Sequence, residues 1–252
     1  MRKSVLFVAI AVLATMASEA RAQQAWQPFD GKLLVNVNLG IQVGDNDLTN
    51  HTTFDLYDET AEVDTNQTIN NGFFFEVGGA YRIQPKYGVG ASWSILSNSG
   101  PGTISGNLPH PLFFDQPRSF SASVDDLKHT EQALHFQALY FYPFIEKVDF
   151  TFSGGPSVFF VTQGLIRGVM FSENPPNFTS VTIDSVDVVE LSKSGWGFNL
   201  GADVTYALTS SIGVAGLLRY THGAVTFDLA EGQTAKIDTG GFQIGGGVRF
   251  RF

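Results

Sequence analysis

The stretch KLLVNVNLGIQV, Lys32 to Val43, alternates without a break: Val35, Val37, Leu39, Ile41 and Val43 fall on one face, and Asn36, Asn38, Gly40 and Gln42 on the other. Successive side chains of a strand point to opposite sides, so this segment is a strand with one apolar and one polar face. Its length decides the setting. Strands of globular proteins most often run about 5–6 residues, whereas about 9–11 tilted residues cross a bilayer.

Working outward, the same pattern recurs until eight runs are found. The second sets Phe73, Phe75, Val77, Tyr81 and Ile83 against Glu76, Gly78, Ala80 and Arg82, and after Gln84-Pro85-Lys86 the third sets Tyr87, Val89, Ala91, Trp93 and Ile95 against Gly88, Gly90, Ser92 and Ser94. The fourth has Leu134, Phe136, Ala138, Tyr140 and Tyr142 outside, with Glu131, His135 and Gln137 opposite. The fifth has Val148, Phe150, Phe152, Val158 and Phe160 against Asp149, Thr151 and Ser153. The sixth, Trp196 to Tyr206, and the seventh, Ile212 to Tyr220, flank Thr209-Ser210, and the eighth carries Phe242, Ile244, Gly246, Val248, Phe250 and Phe252. Asn199, Asp203, Arg219, Gln243, Arg249 and Arg251 share the inner parity. An unpaired strand edge is not tolerated in hydrocarbon, so the eight must close on themselves. The expected fold is all-β: an eight-stranded antiparallel up-and-down transmembrane barrel over residues 23–252.

Connections alternate in length. Those at Pro85, Pro143 and Thr209 are short, while Gly44 to Asn71, Ser97 to Lys128, Gly164 to Gly195 and Gly223 to Gly240 are long. Short turns belong to the periplasm and long loops to the outside, so both termini are expected to be periplasmic. Tyr87, Trp93, Tyr140, Tyr142, Trp196, Tyr206 and Tyr220 suit interfacial belts.

The N-terminus supplies the route of export. Met1-Arg2-Lys3 is a basic n-region, Val5 to Met16 an apolar h-region, and Ala20-Arg21-Ala22 a small-x-small cleavage pattern, so residues 1–22 read as a signal peptide cut after Ala22. The apolar run is shorter than the roughly 20 residues that span a bilayer as a helix. Removing Arg2, Lys3, Arg21 and Glu19 leaves 12 Lys and Arg against 23 Asp and Glu, a net charge of −11. Such a surface excludes nucleic acid as a partner, since phosphate binding needs cations. With no cysteine, neither disulfides nor thiolate metal sites are available.

The last run, GGFQIGGGVRFRF, ending in Phe252, resembles the C-terminal signal by which outer-membrane barrels engage their assembly machinery, with Val248, Phe250 and Phe252 as its alternating residues. HPLFFDQPR (His110 to Arg118), EQALHFQALYFYPF (Glu131 to Phe144) and FSGGPSVFFVTQ (Phe152 to Gln163) resemble segments of the bacterial outer membrane protein β-barrel domain family, small barrels of the OmpA, OmpX and OmpW kind. The resemblance covers nearly the whole mature chain. It implies this fold and an outer-membrane location, with outer-membrane lipid, lipopolysaccharide and the barrel assembly machinery as partners, and it implies no catalytic residues.

Among candidate sites, the inner face carries Glu76, Glu131, Asp149 and Asp203 opposite Arg82, Arg219, Arg249 and Arg251. A narrow barrel is nearly filled by its side chains, and buried charges need partners. An ion-pair network plugging the lumen is the expectation, with a gated pore as the alternative. His129, Glu131 and His135 share parity, but positions two and six apart span roughly 7 and 20 Å, too far for one ion, so no metal and no cofactor is assigned. The first long loop holds Asp45, Asp47, Asp55, Asp58, Glu59, Glu62 and Asp64 with no Lys or Arg. It reads as a solvated acidic loop, with divalent bridging to lipopolysaccharide phosphates as the sharper idea. A lipid A deacylase is the best enzyme comparison, but in Arg219-Tyr220-Thr221-His222-Gly223-Ala224 the positions after the histidine lack its serine. No G-x-S-x-G elbow or P-loop occurs elsewhere.

A non-enzymatic barrel whose extracellular loops bind a partner or stabilise the envelope is therefore expected. Leu165 to Phe171 and Val181 to Leu191 are rich in β-branched residues and read as a hairpin protruding above the membrane. The rival is an OmpW-like transporter of small hydrophobic molecules that uses the inward apolar residues Leu139, Phe141, Phe159 and Leu217. Intact-mass measurement of the protein from outer membranes should show a chain beginning at Gln23; membrane-bound protein retaining Met1 to Ala22 overturns the signal-peptide reading.

Overall fold

The computed structural model describes residues 31–44, 46–69, 71–230 and 233–252. The expected signal peptide lies outside them. Ten strands run in chain order: β1 (Leu33–Val43), β2 (Asn46–Leu56), β3 (Glu59–Ile69), β4 (Gly72–Gln84), β5 (Tyr87–Leu108), β6 (Arg118–Ile145), β7 (Val148–Glu173), β8 (Val181–Ala207), β9 (Ile212–Ala230) and β10 (Gln233–Arg251). Eight of them, β1 and β4 to β10, form a closed antiparallel ring in the order β5-β4-β1-β10-β9-β8-β7-β6, with β6 pairing back to β5.

The opening stretch of the sequence is β1, and it closes the ring. It pairs with β4 from Leu33↔Tyr81 to Gln42↔Gly72 and with β10 from Leu34↔Arg251 to Val43↔Phe242. The seal at the chain ends is reciprocal, Leu33 N–H donating to Phe252 O at 3.1 Å and Phe252 N–H to Leu33 O at 2.9 Å. Outward parity leaves large apolar side chains exposed, among them Leu39, Phe73, Ile83, Trp196, Leu200 and Ile244. On these strands lipid is the solvent, and the alternation reverses the inside-apolar rule of soluble proteins.

Two differences from the sequence reading concern the long-loop end. The connection between Gly44 and Asn71 is a hairpin, β2–β3, which adds to the extension of β5 from Glu62↔Asn107 to Gln67↔Gly102. Its inner face buries Leu48, Ala61, Gln67 and Ile69, while Thr53, Asp55, Glu62 and Asp64 stay exposed. The alternation is present, but its polar face is acidic and its apolar face sparse, which hides the strands behind a loop-like composition. Two other long connections are also strand for most of their length, β5–β6 pairing reaching Leu108↔Arg118 and β9–β10 pairing Gln233↔Ala230, while the hairpin expected over Leu165 to Phe171 and Val181 to Leu191 is present, its β7–β8 pairing reaching Glu173↔Val181.

Neighbouring ladders stop lower, at His129↔Gln163 between β6 and β7 and at Gly197↔Gly223 between β8 and β9. Above those points the wall divides into a β2-β3-β5-β6 sheet, a β7–β8 hairpin and a β9–β10 hairpin. The β7–β8 hairpin packs Ile166, Val169, Phe171, Val181, Ile183 and Val186 on the sheet's Ala61, Ile104, Leu108 and Phe120. Deleting Phe252 removes one side of the Leu33 seal, so the deletion protein should reach the heat-modifiable folded form at lower abundance than an Asp58→Ala control; equal abundance of the two folded species counts against the seal.

Candidate functional site

Each strand of the ring brings its inner-parity side chains to a common axis, and these form tiers. Nearest the short turns, Arg251 Nη2 donates to Asp149 Oδ2 at 3.0 Å, and the Arg82 guanidinium lies 4.4 Å over the Phe141 ring. One tier up, Arg249 pairs with Asp203 and donates from Nη1 to Asn38 Oδ1 at 2.6 Å. At the middle Arg219 grips Glu76 with both terminal nitrogens, Nη2 to Oε1 at 3.0 Å, while Asn38 Nδ2 donates to Oε1 at 2.7 Å and Ser92 Oγ to Oε2 at 3.1 Å. Two carboxylate oxygens thus meet four donors, the condition under which a buried pair is tolerated. Strands β1, β4, β5 and β9 all contribute, so the cluster spans the lumen.

Glu131 departs from the expected network. It sits nearer the long-loop end, where it accepts from Thr239 Oγ1 and from Gly240 N–H at 3.1 Å, with His129 Nε2 at 3.8 Å; His129 Nδ1 meets Gln163 Oε1 at 2.6 Å. No arginine is among these partners. Parity fixes the face but not the height along the axis, and Glu131 is too high for the arginines. Gly240 has φ 95°, and a Cβ there would lie 2.5 Å from Thr221 O, so only glycine presents this N–H. His135 lies in a separate tier between Ser94 and Ser157, and among the described residues no three metal-ligating side chains converge.

The four inward apolar residues do not form one path. Leu139 and Phe141 pack together, Leu217 packs with Phe74 and Leu96, and Phe159 joins a third cluster with Leu48, Ile69, Val161, Leu165, Val225, Phe227 and Ile237. Between the tiers lies a cavity of about 50 Å³ lined by Asn36, Gln137, Leu139, Asp203, Arg249 and Arg251, a volume for ordered water.

The wall is interrupted between β6 and β7. Between His135↔Ser157 and Ala138↔Gly154 the β6–β7 ladder lacks two pairs, where Pro156 has no N–H to give. Asn199 covers the gap from inside, its Nδ2 donating to Gly155 O at 3.0 Å and Ser157 Oγ at 2.9 Å and its Oδ1 accepting from Gln137 Nε2 at 3.2 Å.

At the long-loop end the β5–β6 and β7–β8 tips are tied together by Arg118, absent from the sequence candidates. Its Nη2 donates to Pro109 O at 2.6 Å and Glu173 Oε1 at 2.5 Å, and its Nη1 to Phe178 O at 3.2 Å. Tyr57 Oη donates to Glu173 Oε2 at 3.2 Å, and Asp115 N–H to Glu59 Oε1 at 2.8 Å. On the outer face of β2–β3, the Asp64 carboxylate 2.7 Å from His51 Nδ1 raises the imidazole pKa above its ordinary value. The acidic residues of this hairpin spread along that face, and the side chains of Asp45 and Asp47 lie outside the described set.

The model of the outer membrane protein beta-barrel domain family matches residues 7–250. Similar solved structures include Neisserial surface protein A, at 14% identity over 87% of this chain and 97% of that one with a TM-score of 0.40. They also include the outer membrane protease OmpT from Escherichia coli, at 9% identity, 92% and 99% coverage and 0.49. OprG from Pseudomonas aeruginosa follows at 10%, 88% and 97%, and 0.44. No curated protein matches the chain.

Removing one partner of a buried pair leaves an uncompensated charge, at a cost of about 3–5 kcal/mol. Arg219→Met should therefore lower unfolding stability in lipid vesicles by that order, and Glu76→Gln with Arg219→Met should recover part of the loss. A double variant as unstable as the sum of the singles refutes the coupling.

Proposed function

Because the chain belongs to the outer membrane protein beta-barrel domain family, and so resides in the outer membrane among its lipids, we propose that it is a non-enzymatic surface protein whose extracellular strands bind a partner or brace the envelope. The observation that carries this reading is the division of labour along the axis. In the membrane the lumen is spanned by the Glu76–Arg219 cluster, and above it the strands continue into a layered structure with its own apolar core. A β-structure of that size, held by a buried arginine, is a rigid platform. Residues 181–196 of β8 pair with β7 alone, which leaves the other edge of that strand for β-augmentation by an extended segment of a partner.

Assembly in this reading uses Val248, Phe250 and Phe252, which lie on the lipid-facing side of the closing strand. Lipopolysaccharide phosphates meet the carboxylates of β2–β3 through divalent cations, each held by one or two side chains.

The transporter reading has one feature in its favour. Outside the Pro156 interruption a lipid-facing groove of about 650 Å³ runs over Gly79, Ala91, Ala138 and Gly154, and Gln137 lines both this groove and the inner cavity. Against it, the cavity is small and arginine-rich. A lipid A-modifying enzyme is less supported still: His222 faces outward between the rings of Phe198 and Tyr220, and Gly223-Ala224 offers no hydroxyl.

In planar bilayers the purified protein should give no stable conductance; a large, steady, ion-unselective current sinks the closed-lumen reading. Saturable uptake of a hydrophobic solute that Leu217→Trp abolishes would promote the transporter.

A further inference from the structure

The tip between β5 and β6 carries three consecutive apolar side chains in water, Leu112, Phe113 and Phe114, exposed to 61, 56 and 70%. They are not on a loose loop. The Arg118 clamp holds the base of the tip at Pro109, and His110, itself buried, holds its middle: Nε2–H donates to Asn177 O at 3.2 Å and Nδ1 accepts from Leu112 N–H at 3.1 Å. The tautomer follows from those two partners. The His110 ring also packs against that of Phe113, tilted at 45° with centroids 5.0 Å apart, and Glu59 fixes the far side through Asp115 N–H. The β2–β3 and β7–β8 tips thus brace the apolar prong of the β5–β6 tip, whose ordering has already been met in folding rather than on binding.

Height and charge narrow the partner. From Ser97, where the long connection begins, β5 climbs to Leu108 before the tip; at about 3.3 Å per residue and a tilt of ~40° the prong stands roughly 30 Å above the bilayer edge, out of reach of its own membrane. The charges flanking it are carboxylates, Asp58, Glu59 and Asp115, while the nearby cation, Arg118, is buried and paired with Glu173. Aromatic faces set among carboxylates favour a quaternary ammonium group. Such carboxylates also repel anionic headgroups, and three convex apolar side chains suit insertion into an acyl layer.

We propose that Leu112, Phe113 and Phe114 form a preorganised wedge that docks on an apposed bilayer rich in choline headgroups, the rings and Leu112 entering the interface and Asp58, Glu59 and Asp115 facing the trimethylammonium groups. This deepens the surface-binding reading and rests on it. Arg118 is a positioning residue for the wedge.

The test uses the full mature protein in nanodiscs, cosedimented with sucrose-loaded phosphatidylcholine vesicles. Binding is expected, weakened about tenfold or more by Phe113→Ser with Phe114→Ser, and by a similar factor when phosphatidylglycerol replaces phosphatidylcholine. Arg118→Gln should weaken it to a lesser degree, with the folded ring verified by heat-modifiable migration. Free phosphocholine should compete only partly; complete competition, no vesicle binding, or equal binding of the double-serine variant overturns the wedge. Adhesion to whole cells that survives the double-serine change, or that protease treatment of those cells abolishes, makes the partner a protein: the wedge then falls while the surface-binding reading stands.

Discussion

Backbone hydrogen bonding in hydrocarbon is the constraint on which the remaining structure depends. An unpaired N–H or C=O in the bilayer costs several kcal/mol, so the strands must close, and the closure is made by β1 between β4 and β10. Closing eight strands leaves an interior just wide enough for side chains. That width forces Glu76 and Arg219 into contact across the ring and brings Asn38 and Ser92 to the same carboxylate. The polar lumen follows from the wall, and so does its obstruction. Where β6 and β7 fail to pair, beside Gly155 and Pro156, a lumen amide from Asn199 donates to the Gly155 carbonyl. The inner side chains and the ladder therefore satisfy one another's polar groups.

Outside the bilayer the constraint lapses, because water satisfies an open edge. The ring divides where the β6–β7 and β8–β9 ladders end, and what holds the strands together changes from closure to apolar burial between layers. The apolar side chains reverse direction accordingly. In the ring they face out to lipid, as Leu39 and Phe73 do; above it they face in, as Ile104, Phe120 and Phe227 do.

That reversal explains what the sequence made legible. Long alternation exposed the ring strands because lipid demands a large apolar residue at every second position, and the parity of Glu76, Asp149, Asp203, Arg219, Arg249 and Arg251 came with it. Strand β2–β3 was not legible: only one face of a water-exposed hairpin needs to be apolar, and its other face bears Asp55, Glu62 and Asp64. Glu131 shows a second limit. Its parity is visible, but its height depends on ring tilt and register, which pair it with Thr239 and Gly240 across a long sequence separation. Gly240-Gly241 in an otherwise β-forming run was a signal available for that site, since glycine inside a strand marks close approach of another group. Arg118 left no comparable trace. Its partners Pro109, Glu173 and Phe178 are spread over two connections that only the fold brings together.

The same clamp decides how the crown can act. A buried guanidinium that satisfies two carbonyls and a carboxylate belonging to different tips couples their positions, since displacing any one leaves a charged donor unpaired. The β2–β3 hairpin joins through Tyr57 to Glu173, so polar contacts link three of the tips into one body. A body of this kind presents a fixed surface, and binding at it does not have to order the segments that make contact. Flexible loops would suit a protein that adapts to many partners; a braced prong of Leu112, Phe113 and Phe114 suits one that meets the same chemistry repeatedly.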